Sequence, residues 1–533
     1  MKYAVILFAS IGLLFVSCSK APIAREQTLR INICAEPTTL DPRKARNLND
    51  ITTCRMLFEG LTRISKSGEI ELATAEAVEI SEDRLEYVFH LKNAFWSDGT
   101  PVTSYDFAQN WKTILDPQFP TDIAYQLYVI QNGQKVKSGE VSSELLGVKT
   151  PDAKTLVVKL DQPIPYFLEV CSMGSFLPVP SKIALENPNW SLSPETFVGN
   201  GPFTLKSWIH TDEIVVQKSA NYWDSQSVLL NQIELVMVSV DTEMQLFEEN
   251  KLDWAGSPLS TLPIDAVPYL KQTKKLKVNP LSGTYFLRVN TDDSNASNPL
   301  QSASFRKAIA YSIDRDAIAN HVLQGGQIGA RSLVPPEMGL IEDGYFSEEL
   351  SATELLQEAF EDLKQSQSTL EPITLMFVAG DRNMSIAQAV QKQIETTLNI
   401  VVQLQAVEGK VFNQRIKQKK FQLATGSWIA DFNDPINFLE VFKHKNGSTN
   451  NTNWENPKYI DLLNQSVICG DQDERKQILR KAEEILMDQM PIIPIYHFAL
   501  NFMQKEGVEG IALSPIGQVD FRWAHIDEAK HSR

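Results

Sequence analysis

Apolar and polar positions change period several times along the chain, and the changes mark its organisation. Leu29-Arg30-Ile31-Asn32-Ile33-Cys34 alternates with period two and predicts a strand, and Glu36-Pro37-Thr38-Thr39-Leu40-Asp41-Pro42 follows as a rigid, turn-rich segment. A short helix is expected over residues 52–61, ending near Gly60. Tyr87-Val88-Phe89-His90-Leu91 reads as a strand, and an Asp98-Gly99 turn then closes on Pro101. Ser104 is placed to cap a helix over 105–115, with Phe107, Trp111 and Leu115 on one face. A turn and strand over 152–160 come next, and Gly199-Asn200-Gly201-Pro202 makes a tight turn before a strand at 203–205.

Past residue 280 the pattern becomes regular. A strand at 285–290 leads to helix over 305–323, stopped by Gly325 and Gly326. Ser351 and Glu354 have capping-box spacing ahead of a helix at 355–363. Strands at 373–378, 400–404 and 421–425 then alternate with helices at 384–398 and 411–417, and a helix at 474–487 precedes a strand at 492–498. Such alternation implies an α/β lobe over 281–497, built on a largely parallel sheet covered on both faces. Residues 501–533 are too few for a core of their own and are expected to pack back onto an earlier lobe.

The corner Ser427-Trp428-Ile429-Ala430-Asp431-Phe432-Asn433-Asp434-Pro435 joins an apolar strand to a helical run and carries two carboxylates. Asp434, directly before Pro435, stands where a helix N-cap belongs and is read as structural. Asp431 lies outside that cap beside Trp428 and Phe432. Two readings fit it: a carboxylate with an aromatic wall that receives a cation, or a solvated loop acid.

Residues 1–17 combine Lys2 with an apolar run and a small Ser17, an export signal rather than part of the fold. Phe15-Val16-Ser17-Cys18 resembles a bacterial lipobox, although the pattern prefers Leu where Phe15 stands. Cys18 is then the lipidated first residue, and 18–28 a tether. The chain carries 50 Lys and Arg against 66 Asp and Glu, a formal charge of −16. Without Lys2 the mature chain would carry −17, which argues against nucleic acid as a partner. Cys34, Cys54, Cys171 and Cys469 lack metal-ligand spacing and are expected to be mostly buried free thiols. No nucleophile elbow, phosphate loop or zinc motif occurs, and no metal or cofactor is expected, so a binding protein is favoured over an enzyme.

Phe95-Trp96-Ser97-Asp98-Gly99-Thr100-Pro101-Val102-Thr103, followed by Asp106-Phe107, resembles the signature of the family-5 extracellular solute-binding proteins, which include oligopeptide-binding proteins of ABC importers. The resemblance extends through Glu36-Pro37, Leu40-Asp41-Pro42, Leu57-Phe58-Glu59-Gly60-Leu61, 163–166, Asn200-Gly201-Pro202, Tyr222-Trp223, 306–315 and the 427–435 corner. It implies a three-lobe periplasmic-binding-protein-like α/β fold, with a ligand cleft between two jaws joined by a hinge. Residues 29–55, 190–280 and 498–533 would form the first lobe, 56–189 the second and 281–497 the third.

The implied function is an exported, membrane-anchored, monomeric receptor that captures short peptides and delivers them to ABC permease subunits. A receptor for a dipeptide, cell-wall peptide, metal chelate, haem or sugar, or a surface chaperone or adhesin, is the alternative. By the same resemblance Asp431 would pair with a ligand α-amino group. Ser427 and Ile429 would offer backbone groups and Trp428 a wall, with Leu48, Tyr285 and Tyr496 as further pocket residues. Three positions depart from such binders: Arg46 stands where an acid can occur, Thr425 where some have arginine, and Ile429 where some have cysteine.

Overall fold

The computed structural model describes residues 27–292, 298–341, 343–347 and 349–531. The expected signal, Cys18 and most of the tether lie outside them. Two long antiparallel strands, Lys277–Val289 and Ile492–Gln504, form the middle of an eleven-stranded mixed sheet. On one side the sheet continues through Leu423–Ile429, Ile373–Val378 and Val402–Val407. On the other it continues through Trp254–Gly256, Thr28–Asn32, Gln232–Val236, Glu213–Lys218 and Phe203–Ile209. The register of the long pair shifts between Pro280 and Thr284. Proline removes a ladder donor there, and the strand turns to other partners.

A separate antiparallel sheet runs Ala75–Ile80, Glu86–Leu91, Thr155–Lys159, Val148–Asp152. Its strand Glu86–Leu91 buries Tyr87, Phe89 and Leu91 in strict alternation. The helix Ser104–Ile114 lies over this sheet with Phe107 and Trp111 fully buried, and Trp111 meets Phe176 edge to face at 5.2 Å. One continuous core joins this region to the strands before residue 236 and to Val508, Val519, Phe521 and Ile526 of the tail. A second core is confined to residues 285–496.

The short motifs scattered along the first half meet at Glu59. Its fully buried carboxylate accepts from Tyr222 Oη at 2.8 Å and Trp223 Nε1 at 2.5 Å, and pairs with Arg63 at 3.3 Å and with Arg522 of the tail. Its backbone exchanges two hydrogen bonds with the Asn200 side chain, at 3.0 and 2.9 Å. Gly201 N–H donates to Leu57 O at 2.9 Å, an approach so close that a Cβ on Gly201 would sit 2.5 Å from Leu57 C. Gly199 O in turn accepts from Ser97 N–H at 2.8 Å, which ties in the Trp96-Ser97-Asp98-Gly99 turn. Burial alone would raise the Glu59 pKa, but the guanidinium groups of Arg522 and Arg63 outweigh it and hold the carboxyl below its usual range.

Several expectations are corrected. The first helix is Leu48–Leu57, capped by Asn47, because the Asn47 side chain accepts from Asp50 N–H. At the next helix Thr103, not Ser104, is the N-cap, since the Asp106 carboxylate reaches back to Thr103 N–H at 2.9 Å. Ser351 makes no cap hydrogen bond, because its hydroxyl pairs with Thr353 at 2.9 Å. Among the described residues of the 281–497 region only Val402–Val407, Ile373–Val378 and Leu423–Ile429 pair in parallel, and the sheet is mixed because Lys277–Val289 runs antiparallel to both its neighbours, Leu423–Ile429 and Ile492–Gln504. All four described cysteines are free, but only Cys54 and Cys171 are buried.

Glu59→Ala would leave Arg63 and Arg522 buried without their shared partner. The expected loss is about 3 to 5 kcal/mol of stability, read as a lowered thermal midpoint; an unchanged midpoint would refute the central role of Glu59.

Candidate functional site

The 427–435 corner is positioned by the long strand Lys277–Val289. Ser427 lies opposite Tyr285, Trp428 opposite Thr284 and Ile429 opposite Gly283. A Cβ on Gly283 would come within 2.9 Å of Phe498 and 3.0 Å of Ile429, so glycine is required where these side chains crowd the backbone. One residue earlier, where the long pair has lost register, Ser282 O accepts from Ala430 N–H at 2.9 Å and Ser282 N–H donates to Pro515 O at 2.7 Å. These bonds draw the tail loop against the corner.

Asn437 orients the corner from the helix that follows. Its Oδ1 accepts from Trp428 Nε1 at 2.8 Å and from Asp431 N–H at 3.2 Å. Asp431 is open to water, yet the walls around it are dense: desolvation raises its pKa, and a side-chain hydrogen bond with Asn437 opposes the shift only in part. No cationic side chain of the described residues pairs with it. Asp434 has a different environment. It is buried and bidentate with Arg475, at 2.7 and 2.9 Å, and it also accepts from Ile436 N–H at 2.9 Å. The helix Ile436–Leu439 starts one residue later than expected, with Pro435 in the cap position, so Asp434 is structural chiefly as an ion-pair partner.

Asp431 lines a cavity of about 200 Å³ built by three chain regions. Ile64, Gly68 and Ile70 with Glu169 and Met173 come from one, Asp431 to Asn433 from the second, and Ser514 to Ile516 from the tail. Glu169 was not singled out from sequence. Burial raises its pKa to about 8, the Asp434 carboxylate adds to the shift, and Arg475 and the Asn433 backbone oppose it. One Glu169 oxygen, Oε2, is buried without a hydrogen-bond partner. Tyr166, three residues earlier, stacks on Phe432 at 4.3 Å and 10°. The Pro163-to-Tyr166 motif was the available signal, but its partner across the cavity is 266 positions away.

The other expected site residues fall into separate groups. Tyr285 and Tyr496 are buried cross-strand neighbours stacked at 4.8 Å, and Phe498 meets Tyr496 edge to face at 5.3 Å. Burial pushes the Tyr496 hydroxyl up to about 12, against a hydrogen bond from Arg382 that favours the ionised form. This aromatic row adjoins Ser427 but does not line the Asp431 cavity. Ile429 is 45% exposed. Leu48 begins the first helix, 43% exposed, and is likewise outside that cavity. Arg46 pairs with Asp122 at 2.5 Å, and Thr425 O accepts from Arg288 at 2.9 Å. Cys18 lies outside the described residues. Among those residues no group of three or more His, Cys, Asp or Glu could hold a metal ion, and no helix is long and apolar enough to cross a membrane.

The profile of the bacterial extracellular solute-binding proteins, family 5 Middle, matches residues 69–450. This chain belongs to that family. It is 39% identical to the oligopeptide-binding protein OppA of Bacillus subtilis (strain 168), over 94% of this chain and 92% of that protein. It is 34% identical to the dipeptide-binding protein DppE of the same organism, over 95% and 93%. Among solved structures it is similar to the periplasmic murein tripeptide binding protein MppA in its unliganded open form, with TM-score 0.82, 28% identity and coverage of 94% and 98%. The Haemophilus influenzae OppA complex with the peptide RPPGFSPFR gives TM-score 0.74, 26% identity and coverage of 94% and 99%. These relatives are solute-binding proteins rather than enzymes.

Glu169 gives the family member a pH signature. Its carboxyl titrates at about 8 in the folded chain against 4.5 for an unperturbed glutamate, so between those values the folded state holds a proton that the unfolded state has lost. The contribution to stability is complete below pH 4.5 and disappears as pH rises through about 8. Glu483, raised to about 7, acts in the same sense and supplies a background. Glu169→Gln should therefore lose less thermal stability than the parent chain between pH 6 and pH 9; parallel curves would show that Glu169 is not protonated in the fold.

Proposed function

We propose that this family member is a lipid-anchored receptor that captures short peptides and hands them to an ABC permease, with Asp431 receiving the peptide's α-amino group. The observation that carries this reading is a carboxylate in desolvating surroundings with no cationic partner among the described residues, at the wall of a cavity shared by three chain regions. A ligand ammonium supplies the missing counter-charge, and enclosure strengthens the pair by keeping water out. Glu169, on the facing wall, adds a second acceptor that an arriving ammonium would ionise.

Extended peptide backbone is served by the strand end at Ser427 to Ile429, with Trp428 held as a wall by Asn437. Tyr285 and Tyr496 lie further along the same sheet as a lining for later ligand residues, and Leu48 stands at an outer edge. We place the first lobe at 29–55, 190–280 and 498–533, the second at 56–189 and the third at 281–497. The long strands Lys277–Val289 and Ile492–Gln504 act as the hinge. Binding energy from the ligand draws the jaws together about this hinge. The mature protein is monomeric, exported and held to a membrane through lipid on Cys18.

Calorimetric titration with short peptides tests the central role. Asp431→Asn should weaken a peptide with a free amino terminus at least about 30-fold, the equivalent of about 2 kcal/mol, and N-acetylation of the peptide should weaken binding to the parent chain comparably. Equal affinity for free and acetylated peptides would overturn the assignment and favour another cargo.

A further inference from the structure

A groove of about 910 Å³ lies elsewhere in the molecule and shares no residue with the Asp431 cavity. It is lined by Lys274, Lys275 and Lys277, by Lys505 and by Lys530, with Glu248, Glu506 and Glu509 as the acids among them. Glu509 is already paired with Lys530 at 2.6 Å, and Lys277 Nζ reaches only the neutral side chain of Gln504, at 3.0 Å. Lys274 and Lys275 are exposed and make no side-chain hydrogen bond or ion pair among the described residues. The lining carries five lysines against three glutamates, with Lys530 also reaching Asp527 at 3.5 Å, and this local excess of positive charge in a chain of formal charge −16 is complementary to an anionic partner. Tyr269 is 58% exposed on the helix Val267–Gln272, which leads into these lysines, and Val278 follows them, 45% exposed.

The groove is also where the amino-terminal segment enters the fold. The Gln27 side chain donates to Ile526 O at 2.8 Å and accepts from Ile526 N–H at 2.9 Å. Ile526 pairs with Val508, and Val508 with Glu509 lines the groove. The chain from Cys18 to Gln27 spans at most about 30 Å when fully extended. A lipid on Cys18 therefore keeps this basic face close to the bilayer while leaving other faces free to point away.

Given lipidation at Cys18, on which the inference rests, we propose that this groove seats anionic lipid headgroups, so that the receptor rests on its membrane by the 274–277 face. The lysines meet headgroup phosphate, and Tyr269 suits the boundary between headgroup and acyl chain.

The test uses the mature, lipidated protein on vesicles of phosphatidylcholine, with and without phosphatidylglycerol. Flotation reads anchoring, and acetylation of amines followed by mass spectrometry reads which lysines are covered. Lys274, Lys275, Lys277 and Lys530 should be acetylated at least about threefold more slowly on the anionic vesicles, while Lys149 on the separate antiparallel sheet is unchanged. High salt should abolish the difference. Substituting Lys274→Glu and Lys275→Glu together should remove the protection of Lys530 without changing the thermal midpoint. Flotation with equal labelling on both vesicles overturns the lipid-facing groove and leaves the anchor standing. Failure to float overturns the anchor, and this inference with it.

Discussion

Everything that positions the candidate site depends on one constraint, the antiparallel pairing of Lys277–Val289 with Ile492–Gln504 and its loss of register between Pro280 and Thr284. Before the shift the two strands bond to each other and lead into the Trp254–Gly256 side of the sheet. At the shift, Ser282 is released to bond Ala430 on one side and Pro515 on the other. After it, the strand resumes pairing and carries Leu423–Ile429. The first of two irregularities in this pairing thus brings the acid-bearing corner and the tail loop to the same place, and the 200 Å³ cavity forms where the Glu169 region meets them. Strands this long are stiff along their length, so displacement of the two sides concentrates where the ladder is interrupted.

A second constraint holds the other half. Glu59 is a buried charge with two guanidinium partners, an indole, a phenol and an amide around it, Arg63 from four residues on and the others from three distant stretches. A buried carboxylate tolerates little substitution in its surroundings, because any lost partner leaves charge uncompensated in a low-dielectric site. This accounts for the form of the family signature in this chain. Leu57-Phe58-Glu59-Gly60-Leu61, Asn200-Gly201-Pro202 and Tyr222-Trp223 are separated in sequence because they are contact surfaces of one junction. The glycines mark where backbones touch.

Much of this was legible in the sequence because it is local. Alternation identified Glu86–Leu91, helical spacing identified Ser104–Ile114, and the Asp434-Pro435 pair announced an acid with a structural task. Helix boundaries moved where a side chain chose a different partner: Asp106 reached back to Thr103, and Ser351 turned to Thr353. Strand direction was misread because helices between strands predict parallel neighbours only when those strands are adjacent, and here antiparallel strands from distant positions complete the sheet. Beyond the 163–166 motif, Glu169 and the stacking of Tyr166 on Phe432 left no local signature. Their significance lies entirely in a neighbour from another part of the chain.

The placement of Thr28–Asn32 has a mechanical consequence. This strand enters directly after Gln27 and lies parallel to Gln232–Val236 over five register pairs, with Trp254 on its other edge. A pull on the amino-terminal segment runs along the strand axis, so the ladder is loaded in shear and its hydrogen bonds share the force instead of opening one after another. The Gln27 clasp on Ile526 takes the first of that load and passes it to the tail. A load applied through the amino-terminal segment is thereby borne by the interior of the sheet, across Trp254–Gly256 from the long strand pair.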